Sequence, residues 1–141
     1  MGLADVFAYF YSTNSQTTGS DVEFDVTGAN QGGEITLTSL TNITVSKKAY
    51  YAITYGISSG QPSAIVYRLK SGSTTEIAGT RMNIPAGVRN IILGPSVIVL
   101  LDTTDTLTLS ILPTITPGGV DTNSGNAGLS ALIRLIKLVD F

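Results

Sequence analysis

The 141-residue chain has no cysteine, no histidine and no tryptophan. Without thiols it can form no disulfide framework, cysteine nucleophile or thiolate metal site, and without imidazole the commonest proton shuttle and metal ligand is gone. Most hydrolytic mechanisms lose their usual residues, so the composition points away from an enzyme and calls for no cofactor. Charge is scarce as well. Only 13% of residues are charged and the net charge is −2, with a pI of about 4.8. The basic footprint that a phosphate backbone requires is missing, which argues against a nucleic-acid partner. No run reaches the roughly 20 apolar residues of a membrane-spanning helix, so no membrane insertion is expected. Met1-Gly2-Leu3 lacks the basic start and long apolar stretch of a secretory signal.

Apolar residues are plentiful. They make up 43% of the chain, and the mean hydropathy is +0.29, high for a chain whose remaining residues are mostly Thr, Ser, Gly and Asn. A chain of this length buries a single core without metal or disulfide staples. The excess apolar surface is therefore assigned to a subunit interface.

The apolar period is two for most of the length, with turn residues between segments. Asp21 to Val26 alternates, with Val22, Phe24 and Val26 on one face and three carboxylates on the other, and reads as a half-buried strand. Gly28 to Gly33 reads as a loop, followed by short strands at Ile35–Leu37 and Ile43–Val45. Ala49 to Ile57 carries Tyr51, Ile53, Tyr55 and Ile57 on one face. Further strands are expected at Ala64–Leu69, weakly from Ile77, at Asn90–Leu93, at Ser96–Leu101, and at Asp105–Ile111 with its Thr and Ser outward. Gly118 to Gly128 reads as a long polar loop. Eight to ten short strands without a clear helix indicate an antiparallel sandwich.

The two ends differ from the rest. Val6, Ala8 and Phe10 alternate with Phe7, Tyr9 and Tyr11, and Leu129, Ala131, Ile133 and Leu135 alternate with Leu132, Ile136 and Leu138. Both faces of each terminal strand are apolar, whereas a domain core covers only one face of an outer sheet. An identical neighbour is the expected cover for the other. Leu129, Leu132, Ile133 and Ile136 also fit a helical stripe with Asn126 as its cap. The all-β pattern upstream favours the strand.

Several constellations invite a chemical reading. Asp21, Glu23 and Asp25 share a face and could offer oxygens to calcium. Strand residues two apart stand nearly 7 Å apart, however, so a solvated polar face is the expectation. Asp102 and Asp105 flank Thr103-Thr104 as in a turn with side-chain-to-backbone bonds. A carboxylate pair could act as general acid and base on a glycoside, but the aromatic platform for a sugar is missing. The glycine clusters lack the Lys-Ser/Thr signature of a phosphate loop, and Lys47-Lys48 is too small to draw a polyanion. Asn42-Ile43-Thr44 matches the glycosylation acceptor pattern, with Ile43 entering a strand. Tyr50, Tyr51 and Tyr55 lie inside a strand and are expected in the core or a subunit interface rather than against a ligand.

The order of an aromatic opening strand, "ITVSKKAYYAITYGIS", "SAIVYRLKSG", "TDTLTLSIL" and a closing "SALIRLIKL" resembles the C-terminal heads of bacterial collagen-like spore-surface glycoproteins of the BclA type. Those heads are similar in turn to complement globular heads and tumour necrosis factor. The resemblance spans roughly residues 4 to 139. It departs at Ala49, where the family has Gly before its aromatic pair, and no Gly-X-Y repeat occurs in the chain.

This resemblance implies an all-β, TNF-like jelly roll of about ten antiparallel strands, forming a homotrimer in which the first and last strands lie side by side and face the threefold axis. Residues 1–3 would be a linker and 4–141 one head domain. The assigned trimer interface is Phe7, Tyr9, Tyr11, Tyr51, Leu132, Ile136 and Leu138. The implied role is a non-enzymatic head that nucleates a collagen-like stalk on the extracellular spore surface (the exosporium). Loops at 13–20, 58–62 and 117–127 would be presented to host protein or glycan receptors. The alternative is the receptor-binding tip of a phage fibre or a jelly-roll lectin, and fold alone does not separate the two.

Overall fold

The computed structural model describes residues 6–14, 16–17, 19–58, 64–72, 74–85, 96–113, 119–120 and 130–140. In chain order its strands are β1 Phe7–Ser12, β2 Gln16–Thr17, β3 Val26–Gln31, β4 Ile35–Leu37, β5 Ile43–Val45, β6 Ala49–Ile57 and β7 Ile65–Ser71. They continue with β8 Thr75–Glu76, β9 Met82–Ile84, β10 Ser96–Leu101, β11 Leu107–Ile111, β12 Gly119–Val120 and β13 Ala131–Asp140. One sheet runs β10-β6-β13-β1-β3, a second runs β4-β5-β11-β7-β8 with β9 also on β7, and β12 pairs with β2. Every pairing is antiparallel.

The chain ends meet inside the first sheet. β1 pairs with β13 from Phe7↔Ile136 to Ser12↔Ala131, and the other edge of β13 pairs with β6 from Ala131↔Ile57 onward. Alternation then sorts the side chains. Val6, Ala8, Phe10, Ile53, Tyr55, Ala131, Ile133 and Leu135 are buried against Ile35, Ile43, Tyr67, Leu69, Leu107, Leu109 and Ile111 of the second sheet. Packing two inner faces in this way makes the sandwich core.

The last segment is a strand from Ala131 through Asp140, as the all-β pattern favoured over the helical stripe. Other expectations need correction. The span 21–26 is not one regular strand. Val22 and Phe24 are buried as expected, but only Asp21 and Val22 run beside β11, through the bridge Asp21↔Ser110 and a bond from Val22 N to the Leu109 carbonyl. Phe24 N donates to the Leu40 carbonyl instead, and regular pairing starts only at Val26. β3 continues through Gly28 to Gln31, residues that read as a loop because glycine weakens a strand. Gly28 is needed there for space: a Cβ would stand 2.9 Å from Tyr9 Cδ2 and 3.3 Å from its carbonyl oxygen. Thr108 and Ser110 point outward as expected yet are buried. Register sets Thr108 beside Lys70 and Ser110 beside Asp21, and those two neighbours form an ion pair, Lys70 Nζ to Asp21 Oδ1 at 2.9 Å. The strand expected at 90–93 lies outside the described residues.

Tyr51 was assigned to the subunit interface, but it lies at 0% exposure within its own chain. Its position in the alternation of β6 turns it inward, and its hydroxyl donates to the Lys47 carbonyl at 2.9 Å. Tyr55 and Tyr67 form the aromatic centre of the core, edge to face with centroids 6.0 Å apart. The Tyr55 hydroxyl donates to the carbonyl of Thr80. Thr80 in turn ties its own Oγ1 to the Ile77 carbonyl at 2.7 Å and accepts from Leu69 N at 3.1 Å. A hydroxyl buried without such a partner would cost about 1–3 kcal/mol.

Burial pushes both phenols up to about 12; Thr80 partly opposes this at Tyr55, and Tyr55 adds to it at Tyr67. Below pH 10 the phenols are protonated in folded and unfolded chains alike. Between about 10 and 12 only the unfolded chain ionises, so stability falls as pH rises, by at most about 1.4 kcal/mol per pH unit for each phenol. Denaturant unfolding from pH 9 to 12 should show this slope, and Tyr67→Phe should roughly halve it.

Candidate functional site

The outer face of the β10-β6-β13-β1-β3 sheet is where a soluble sandwich normally carries polar residues, and here it is mostly apolar. Alternation and register arrange it in rows across the strands. One row holds Phe7, Ile136, Ala52 and Ile98, and another holds Tyr11, Leu132 and Gly56. Toward one end Tyr50 and Leu100 pair, with Val139 opposite Tyr50 where β13 bulges between Lys137 and Val139. Ile98 is 68% exposed, Val139 57% and Leu138 49%. These side chains, with Tyr50 and Leu100, form a contiguous apolar patch of the kind that marks an association surface.

Between the apolar rows lies a polar one: Tyr9, Arg134, Thr54 and Ser96, one from each of four adjacent strands. Arg134 Nη2 donates to Thr54 Oγ1 at 3.1 Å, and Thr54 Oγ1 is 2.8 Å from Ser96 Oγ. Tyr9 stacks on Tyr11 with centroids 5.2 Å apart. Burial, then the neighbouring Tyr11, pushes the Tyr9 phenol up, with Arg134 pulling the other way. A concavity of about 450 Å³ opens over this row, walled by Phe7, Ala29, Leu132 and Ile136.

Six of the seven residues assigned to the interface from sequence, Phe7, Tyr9, Tyr11, Leu132, Ile136 and Leu138, belong to β1 and β13. Phe7, Tyr9, Tyr11, Leu132 and Ile136 lie on this face by register, and Leu138 is exposed at the bulge. Tyr51 lies on the opposite side of the sheet. Sequence reading missed Ile98 and Leu100, although "SVIVLL" is apolar on both alternating sets and carries the same signature as the termini. It also missed the polar row. The one sign of it in the sequence is Arg134, a charge among Leu132, Ile136 and Leu138 on the outward set of β13.

The other constellations form no comparable site. Asp21 is held by Lys70, Asp25 accepts from Asn14 Nδ2 at 2.6 Å, and Glu23 is exposed, so the three carboxylates do not converge. Among the described residues no group of three or more metal-ligating side chains gathers. Asp102 and Asp105 close a turn, with Asp102 N donating to Asp105 Oδ2 at 2.8 Å. Thr103 N donates to Asp102 Oδ1 at 2.6 Å. On the second sheet Glu76 lies between Arg68 at 2.8 Å and Arg81 at 2.6 Å. Hydrogen bonds from Arg81 and then Arg68 hold its carboxyl at about 2. This contribution is present above the usual carboxylate range and is lost as pH falls toward 2.

No family model and no curated protein matches the chain. Solved structures do. The globular domain of the zebrafish complement 1qA protein aligns at TM-score 0.67 and 13% identity, over 97% of this chain and 99% of that one. Vertex protein P5 of phage PRD1 aligns at TM-score 0.69 and 16% identity, over 98% and 100%. Murine APRIL aligns at 0.65 and 10%, over 94% and 98%. The chain thus has the jelly-roll fold of complement heads and tumour necrosis factor, and identities this low establish the fold alone.

Gly28→Ala should drive a methyl into the Tyr9 ring and cost about 1–3 kcal/mol through overpacking. Urea denaturation of the variant beside the parent chain measures it. NMR titration of the Glu76 carboxyl should give a midpoint near 2.

Proposed function

We propose that the chain is a non-enzymatic, homotrimeric head whose apolar outer face is buried against two further copies. The observation that carries this reading is the unpartnered apolar surface spanning β10, β6, β13 and β1. Its hydrophobic rows continue to the edge strand β10, so the face of one copy and the edge of the next can meet in the same contact. Heterologous contacts of that type close into a ring when the rotation relating the copies is a whole fraction of a turn, as a third of a turn is. Removing about 1,000 Å² of apolar surface per subunit from water supplies on the order of 25 kcal/mol before association and ordering costs.

The topology gives such a head two ends. β1 and β6 finish, and β13 begins, at the same end of the sandwich, where Ser58 N donates to the Ser130 carbonyl and Ser130 N to the Ser12 carbonyl. The segments that follow Ser12 and Ser58 and precede Ser130 therefore leave from that end. The chain enters β1 at the other. A stalk fused before β1 would stand opposite the end where Ser12, Ser58 and Ser130 meet, next to the segments 13–20, 58–62 and 117–127 expected to carry recognition, two of which hold the paired strands β2 and β12. Three chains in register would lower the entropic cost of starting a collagen triple helix, which nucleates poorly from separate strands. With the resemblance to spore-surface glycoprotein heads, this makes a stalk-capping adhesion head on an exosporium the first reading. Similarity to the PRD1 vertex protein favours a second, in which the same head tips a viral spike and binds a cell-surface receptor.

Light scattering at micromolar concentration should give three times the chain mass, unchanged in moderate salt; a monomer overturns the proposal. Ile136→Asp should weaken association at least about 100-fold by burying an unpaired charge and leave a folded monomer by circular dichroism. Upstream gene sequence separates the two readings: Gly-X-Y triplets support the stalk head, and a heptad or β-helical shaft supports the spike.

A further inference from the structure

We infer that the assembled head binds a small tetrahedral oxyanion, of the sulfate or phosphate class, on its threefold axis, held by Arg134 from each copy. The inference rests on the threefold assembly proposed above. Arg134 occupies the middle strand of the five in its sheet, in a row flanked on both sides by apolar rows. Any packing that covers this face therefore takes the guanidinium out of water. Among the described residues, register places no Asp or Glu on the face. Glu34, the carboxylate bonded to β13, is engaged instead by Lys137 Nζ at 2.9 Å.

A threefold axis brings the three Arg134 side chains to one height. Three desolvated cations with no carboxylate on their own faces are strongly unfavourable unless a counter-charge enters. The guanidinium fork matches an oxyanion edge and forms short charge-assisted bonds to it. A tetrahedral oxyanion also has its own threefold axis, so one ion can offer equivalent oxygens to three copies. The bond from Nη2 to Thr54 Oγ1, backed by Ser96, fixes the guanidinium on one side. In the single chain Arg134 and Thr54 both line the concavity over this row, so the free side of the guanidinium faces open space there.

The test uses the full chain dialysed into gluconate buffer free of sulfate, phosphate and chloride. Its mass is checked by light scattering, and sodium sulfate and sodium phosphate are then titrated calorimetrically. The expected result is one anion per three chains, with thermal unfolding raised by about 3 °C or more at low-millimolar anion. Arg134→Met and Arg134→Gln trimers should lose both responses, and Arg134→Met should melt above the parent in gluconate alone, because a buried unpaired charge has been removed. Low-millimolar anion keeps general salting-out effects small. A parent trimer indifferent to both anions overturns this inference alone. So does binding of one anion per chain, or an undiminished response in the Arg134 variants. A monomeric parent overturns the assembly and the axial site together.

Discussion

The pairing of β1 with β13 is the contact on which the remaining architecture depends. It joins residues from opposite ends of the chain, so it forms against a large loop-closure entropy and places this fold among those dominated by non-local contacts. Once formed, it gives β6 and β3 their partners and closes the inner layer of the sandwich. It also places two strands that are apolar on both sides at the centre of one sheet. The core uses one set of their side chains and the outer face uses the other. Core and candidate assembly surface are thus two sides of the same ladder, and substitutions in β1, or in β13 before its bulge at Lys137, affect one or the other according to the position in the alternation.

The all-β class, the inward faces of β6 and β13, and the alternation at both termini were legible in the sequence because a period of two reports facing directly. Tyr51 shows the limit of that logic. Its residue type suits an interface, but its position in the alternation, shared with Ile53 and Tyr55, already turned it inward. β3 shows another limit: Gly28 lowers strand propensity locally, and the reason it is tolerated, the approach of the Tyr9 ring, lies on a different strand. Thr108 and Ser110 read as solvated because their register neighbours Lys70 and Asp21, which pair with each other, come from segments distant in sequence. The polar row was hidden for the same reason. Tyr9, Arg134, Thr54 and Ser96 come from four strands, and only the register shows that they are neighbours.

Apolar rows and a polar row do different work in an association surface. Hydrophobic burial is strong and non-directional, and by itself it tolerates sliding of one copy along another. A row of directional groups penalises every offset that strands a guanidinium or hydroxyl against hydrocarbon. In the proposed trimer the aromatic and aliphatic rows supply affinity, and the Tyr9–Arg134–Thr54–Ser96 row selects the alignment. The ion pairs of the second sheet, at Lys70–Asp21 and around Glu76, are on the opposite side of the sandwich and act within one chain.

The direction of β1 has a mechanical consequence. Tension applied through a segment fused ahead of Phe7 runs along the axis of a strand hydrogen-bonded on both edges, to β13 on one side and β3 on the other. Such a load shears the two ladders, so their bonds share the force and must break together. Pulling across the strand would instead peel the bonds one at a time. A head anchored by that end is built to stay folded while its tether is under strain.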